Sequence, residues 1–288
     1  MSSPFDPIQS LIPLLATPVA LIGACIGSFV NVVAWRLPRE ESLIWPGSHC
    51  PRCGTPLAWF ENIPVLGWLM LRGRCRHCHQ PIAARYPFVE SLCAGLWVAV
   101  LLARPDRMGA GAEPVLLLVA GWFLVSWLLP MVLIDLDRLW LPEPMLRWGV
   151  LLGLAFTALL GLLQDPATGR RLLLEHLVAT ALGLLGFEAV SALAERALGR
   201  PALGLGDAKL AALMGAWLGP GGLGVAVALA VFGGALVGGV ARILGRLGPN
   251  QPFPFGPFLA AGTVLVWLVG PQPWLRLMLP ALVPGSPV

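Results

Sequence analysis

Gly121-Trp-Phe-Leu-Val-Ser-Trp-Leu-Leu-Pro-Met-Val-Leu-Ile134 carries no charge and ends on Asp135. With the apolar residues before it, the run reaches the roughly 20 residues that cross a bilayer as a helix. Similar runs recur along the chain, which has 288 residues, 57% of them hydrophobic and only 12% charged. The pattern reads as an all-α, polytopic membrane helix bundle. Apolar helices are expected at about 13–35, 87–104, 114–136, 145–163, 172–195, 207–219, 222–244 and 255–271, eight transmembrane helices in all. The segment 207–219 is the weakest span. At about 1.5 Å per residue it falls short of a hydrocarbon core of about 30 Å, so it should dip partway or turn at Gly219-Pro-Gly-Gly222.

Asp135 stands where its run meets a polar stretch, and Asp207 stands likewise at the end of Gly204-Leu-Gly-Asp207, before another apolar segment. A carboxylate near hydrocarbon costs roughly 2.5–3.5 kcal/mol on insertion scales, so it marks a site by default. The plainer alternatives are that Asp207 caps a helix and that Asp135 snorkels beside Arg138. Asp137 points to another side of its helix.

Charge sets the topology. The net charge is +4 and Lys209 is the only lysine, so the basic residues are nearly all arginine. They cluster in loops, a pattern that speaks for membrane orientation and not for nucleic acid. Met1 to Pro7 has no positive charge, the reverse of a cleavable signal peptide. The loop 36–86 carries Arg36, Arg39, Arg52, Arg72, Arg74, Arg76 and Arg85 against Glu40, Glu41 and Glu61. By the positive-inside rule that loop is cytoplasmic and the N-terminus lies outside. Both aspartates then fall on the cytoplasmic side, where they can meet. Trp35, Trp45, Trp127, Trp140 and Trp148 sit near span ends, as interfacial anchors against membrane lipid do.

Cys50-Pro-Arg-Cys53 and Cys75-Arg-His-Cys78 give two CxxC knuckles separated by 21 residues, near the spacing of four-cysteine zinc sites. Four thiolates complete a tetrahedral shell, and a lobe so poor in apolar residues needs such a staple. A cytoplasmic location disfavours the alternative of disulfides. His49, His77 and His79 flank the knuckles as surface residues. Cys25 and Cys93 lie within helices as small apolar residues.

Two carboxylates held close can hydrolyse a peptide bond, one deprotonating water and the other, protonated, activating the carbonyl. Such a pair shares a proton and titrates as a unit. Asp207, at a helix start, is expected as the base and Asp135 as the acid. A proton-coupled transporter is the competing class, but it would place its carboxylates near the midplane in repeated broken helices. A non-enzymatic assembly factor would leave the second aspartate without a role.

Taken together these blocks resemble the type IV prepilin peptidases, prepilin leader peptidase/N-methyltransferases within the GxGD aspartyl proteases. Gly27-Ser-Phe-Val-Asn31-Val-Val-Ala-Trp-Arg36-Leu-Pro38 looks like that family's GSFxNVxxxRxP segment, followed by the knuckles and by Arg85-Tyr-Pro-Phe-Val-Glu90. Asp135-Leu-Asp-Arg-Leu-Trp-Leu-Pro142, Gly204-Leu-Gly-Asp207-Ala-Lys209 and Pro254-Phe-Gly-Pro-Phe258 match its later blocks. Glu143 departs from the family's LPD segment. The resemblance implies an inner-membrane enzyme that cuts the leader from type IV prepilins or type II secretion pseudopilins on the cytoplasmic side. It also implies N-methylation of the new N-terminus with S-adenosylmethionine. The methyltransferase work would belong to an N-terminal region 13–110 containing the lobe 37–86, and the peptidase to 114–271. Asp135 and Asp207 map onto the family's catalytic aspartates. Asn31 and Glu90 match motifs without an assigned step.

Overall fold

The computed structural model describes residues 7–103, 112–199, 204–248 and 251–278. Its helices are α1 (Pro7–Arg36), α2 (Leu66–Met70), α3 (Arg85–Leu102), α4 (Ala112–Arg138), α5 (Glu143–Leu162), α6 (Pro166–Leu198), α7 (Leu205–Ile243), α8 (Gly256–Val269) and α9 (Gln272–Met278). No strand forms among the described residues beyond two isolated bridges in the lobe. Each long apolar segment is therefore helical, as it must be where lipid offers no hydrogen bonds. By length and composition six helices can cross a membrane, or seven if α8 and α9, bent by 112°, form one span.

The difference from eight lies mainly in α7. Its 39 residues run as one element, but Gly219, at φ 67° and ψ −176°, breaks the helical path ahead of Pro220. A straight helix would carry Gly206 and Gly234 about 42 Å apart. Instead both lie beside the same cluster. A Cβ on Gly206 would sit 3.2 Å from Leu141, one on Gly256 would sit 3.5 Å from Leu141, and one on Gly234 would sit 3.3 Å from Phe255. The helix thus doubles back at Gly219 into two antiparallel limbs. The expected segments 207–219 and 222–244 are those limbs, and the short first one turns inside the protein.

Chemistry explains the reversal. Pro220 has no N–H to offer the Ala216 carbonyl, and the break orphans the last carbonyls of the first limb. His176 Nδ1 on α6 lies 2.9 Å from the Ala216 oxygen, and Thr157 Oγ1 on α5 lies 3.4 Å from it and 3.2 Å from His176. Trp217 Nε1 donates to the Gly149 carbonyl at 2.9 Å. Three side chains thus tie the top of the limb to its neighbours. No feature of the sequence reading pointed to His176. The signal was there in a lone histidine facing a Gly-Pro break.

The chain divides into two compact units. One comprises Met1–Gly109 with Gly121–Pro130, and the other Ala110–Ala120 with Met131–Val288. Helix α4 contributes residues to both units. In the first, α1 packs on α3, and Trp97 stacks on Trp122 with ring centroids 5.0 Å apart. In the second, α6 and the first limb of α7 lie backbone to backbone, because Gly183 and Gly215 have no Cβ to hold them apart. The Asp165 side chain starts α6 by accepting the Ala167 and Thr168 amides at 3.0 and 3.1 Å, with Pro166 at the first helical position.

Candidate active site and metal centre

Asp135 lies three residues before the end of α4 and is buried, with 6% of its surface exposed. Its Oδ2 accepts the backbone amide of Gly256 at 3.1 Å, the first residue of α8. Helix amides at that position have no partner within their own helix, so the carboxylate occupies a ready-made acceptor position. Glycine leaves that contact undisturbed. A Cβ on residue 256 would lie 2.7 Å from Oδ2.

Asp207 is the third residue of α7, and its Oδ2 accepts the Gly204 amide at 3.3 Å. Asp207 is therefore not the N-cap weighed from sequence, a position that Gly204 holds, but it closes the cap from the third position of the helix and engages one carboxylate oxygen in doing so. Asp207 is half-buried and close enough to Asp135 to feel its charge. Leu141, buried after α4, packs against Gly206 on one side and Gly256 on the other. The loop joining α4 to α5 therefore places one wall between the two acidic segments. Asp135 bonds to α8 and is not paired with Arg138, while Asp137 is exposed.

Glu143, the departure from the resembled motif, has a structural role that sequence reading missed. Its Oε1 pairs with Lys209 Nζ at 3.0 Å, joining the first turns of α5 and α7 two residues from Asp207. Opposite charges at the starts of helices that follow each acidic block were the available clue.

The four cysteines of the lobe come together. Their sulfurs all lie within 4.8 Å of one another, with Cys50 to Cys78 at 3.8 Å and Cys53 to Cys75 at 4.0 Å. Ligands about 2.3 Å from a tetrahedral centre stand about 3.8 Å apart, so the donor set fits a metal ion. The knuckles are built alike: Cys50 N donates to Thr55 O and Cys75 N to Gln80 O, each at 2.9 Å, while Gly54 and His79 take the same left-handed turn. The repeated Cys-x-x-Cys-x-x-Pro, with Pro56 and Pro81, was legible as a local duplication, although no fixed-period repeat was read. The Thr55 hydroxyl and amide lower the Cys53 thiol to about 6. For Cys78 a Gln80 backbone contact favours the thiolate, but burial and the other three sulfurs together push it up to about 11. Four thiols held this close cannot all ionise without a cation. His49, His77 and His79 are exposed, as expected, and Cys93 is buried.

Comparison with known proteins adds an independent line. Residues 21–104 match the family described as Bacterial Peptidase A24 N-terminal domain, and residues 122–239 match the Type IV leader peptidase family. A protein of Myxococcus xanthus (strain DK1622) called prepilin leader peptidase/N-methyltransferase is 41% identical over 239 residues, spanning 83% of this chain and 67% of that protein. One of the same name from Aeromonas hydrophila is 37% identical, spanning 86% and 89%. The type 4 prepilin-like proteins leader peptide-processing enzyme of Escherichia coli O78:H11 is 33% identical, spanning 90% and 95%. No solved structure matches the chain.

Proposed function

Because the chain belongs to the type IV leader peptidase family, we propose that it cleaves the leader from type IV prepilins or type II secretion pseudopilins, with Asp135 and Asp207 as the catalytic pair. The observation that carries this reading is the held Asp135 carboxylate, fixed by the Gly256 amide beside Asp207 at the same end of the bundle. Asp207 acts as the base toward water, and Asp135 as the acid toward the scissile carbonyl. The pair passes one shared proton between these roles. The arginine-rich loop 36–86 supports an inner-membrane orientation with this end in the cytoplasm. A substrate whose apolar helix stays in the membrane then presents its scissile bond at the depth of the aspartates.

The test is leader removal from a co-expressed prepilin by wild type, Asp135→Asn and Asp207→Asn. Either variant cutting at the normal rate sinks the two-aspartate reading.

A second activity is N-methylation of the new N-terminus, supported by the names of the relatives. When bound, S-adenosylmethionine supplies the methyl group. We place this work in the N-terminal region 13–110, which overlaps the matched N-terminal domain, and the peptidase in 114–271. In the lobe, Cys50, Cys53, Cys75 and Cys78 hold Zn²⁺, whose charge stabilises the thiolates and staples the knuckles. Mass spectrometry of the mature N-terminus separates a bifunctional enzyme from a peptidase alone.

A further inference from the structure

Glu90 is a buried carboxylate on α3 that neither the dyad nor the cysteine cluster uses. Its Oε2 accepts the Val65 amide at 2.6 Å, and the Ser28 hydroxyl on α1 also donates to it. Both are neutral donors. Among the described residues no cation pairs with it, although buried acids normally find one. Arg36, a buried cation of the same unit, gives its guanidinium to the carbonyls of Ser42 and Pro46 at 2.9 and 2.7 Å.

The surroundings are built to hold this carboxylate. Gly27 lets α1 approach α3 so closely that a Cβ there would lie 2.7 Å from Glu90 Cα. One turn on, Asn31 Nδ2 donates to the Tyr86 carbonyl at 3.2 Å, which leaves its side-chain oxygen as a second acceptor on the same face. Val65 sits at φ 61° and ψ −52°, and Leu66 N reaches back to Pro64 O at 2.6 Å. That is a γ-turn of the strained kind, with a β-branched residue at its centre. Strain of this type persists only where the surroundings enforce it, and it collects at functional sites. Here it aims the Val65 amide at Glu90.

We propose that Glu90, with the Asn31 side-chain oxygen, binds a primary ammonium group, namely the N-terminal amine of the apolar helix that leader removal creates. The inference rests on the leader-peptidase reading for the source of that amine. A carboxylate and an amide oxygen are both acceptors, and an ammonium brings three donors and the missing charge. An unprocessed precursor has no ammonium at this point of its chain, so the site distinguishes cleaved from uncleaved substrate.

The test uses full-length protein in nanodiscs and two synthetic peptides of the apolar helix, one with a free N-terminal amine and one N-acetylated. Wild type is expected to bind the free amine at least tenfold more tightly, and Glu90→Gln to bind the two alike. Gln is isosteric and still accepts the Val65 amide, so bound zinc and leader cleavage should be unchanged, which a purely structural role for the charge would not give. Glu90→Asp, which keeps the charge, should restore part of the preference. Wild type binding both peptides equally, or Glu90→Gln keeping the full preference, overturns the proposal. Failure of the underlying reading looks different, because wild type would then leave a prepilin uncut.

Discussion

The Asp135 carboxylate accepts the backbone amide of Gly256 across 121 residues of sequence, at 3.1 Å. This bond joins the end of α4 to the start of α8 and fixes one half of the acidic pair. It also explains the glycine, since a Cβ at 256 would meet Oδ2 at 2.7 Å. Gly256→Ala must therefore push the carboxylate aside. Misplacement of a reacting group by about 1 Å costs on the order of 10²-fold in rate. We expect leader cleavage to fall by that order while the thermal unfolding midpoint moves little. A variant that cuts normally would show that the bond does not position Asp135.

The contact of α6 with the first limb of α7 makes a separate claim, on stability. A Cβ at Gly183 would lie 2.4 Å from the Ala211 carbonyl oxygen, and one at Gly215 would lie 2.3 Å from that of Ala179. The obstacle in both cases is backbone, which cannot rotate away. Overpacking of this kind typically costs about 1–3 kcal/mol. Gly183→Ala and Gly215→Ala should each lower the unfolding midpoint in detergent, and the two together should not add fully, because one helix shift relieves both. Unchanged midpoints would refute the close approach.

How much of this was legible in the sequence depends on whether the signal was local. Helix positions came through, since each is a continuous apolar run in a solvent that permits little else. The segments 207–219 and 222–244 were found as well, and Gly219-Pro-Gly-Gly222 marked their turn. The convergence of the four cysteines was legible because CxxC spacing is itself the geometry that brings their sulfurs together. What the sequence concealed were partners distant along the chain. Asp135 could be singled out by its cost near hydrocarbon, yet nothing named Gly256 as its donor. Lys209 with Glu143 and His176 with Ala216 were hidden in the same way, because each pair depends on which helix neighbours which. The six or seven spans counted from the helices fall below the expected eight because α7 runs as one helical element across its turn at Gly219.

The tie at that reversal can be tested directly. His176 Nδ1 and Thr157 Oγ1 lie 2.9 and 3.4 Å from an Ala216 carbonyl that Pro220 cannot serve. Replacing His176 with Leu removes one partner and leaves the carbonyl underserved away from water, which costs about 1–3 kcal/mol. We expect His176→Leu to lower the unfolding midpoint and leave the rate of leader cleavage per folded molecule within a few-fold of wild type. A rate loss as large as that of Gly256→Ala, at unchanged stability, would instead assign His176 to the chemistry.

Metal binding carries a pH sign that follows from the thiols. With no cation beside it, Cys78 titrates at about 11, so at neutral pH it holds a proton that must leave before a metal can bind. Binding therefore releases protons, and affinity should rise with pH and fall as the solution is acidified. Full-length wild type should carry equimolar zinc at neutral pH. Cys50→Ser and Cys75→Ser should each lose most of it, because either change removes a buried ligand from a four-sulfur shell. Elemental analysis after dialysis at a series of pH values reads both effects. Full zinc content in either variant, or retention that improves as pH falls, would overturn the four-thiolate site.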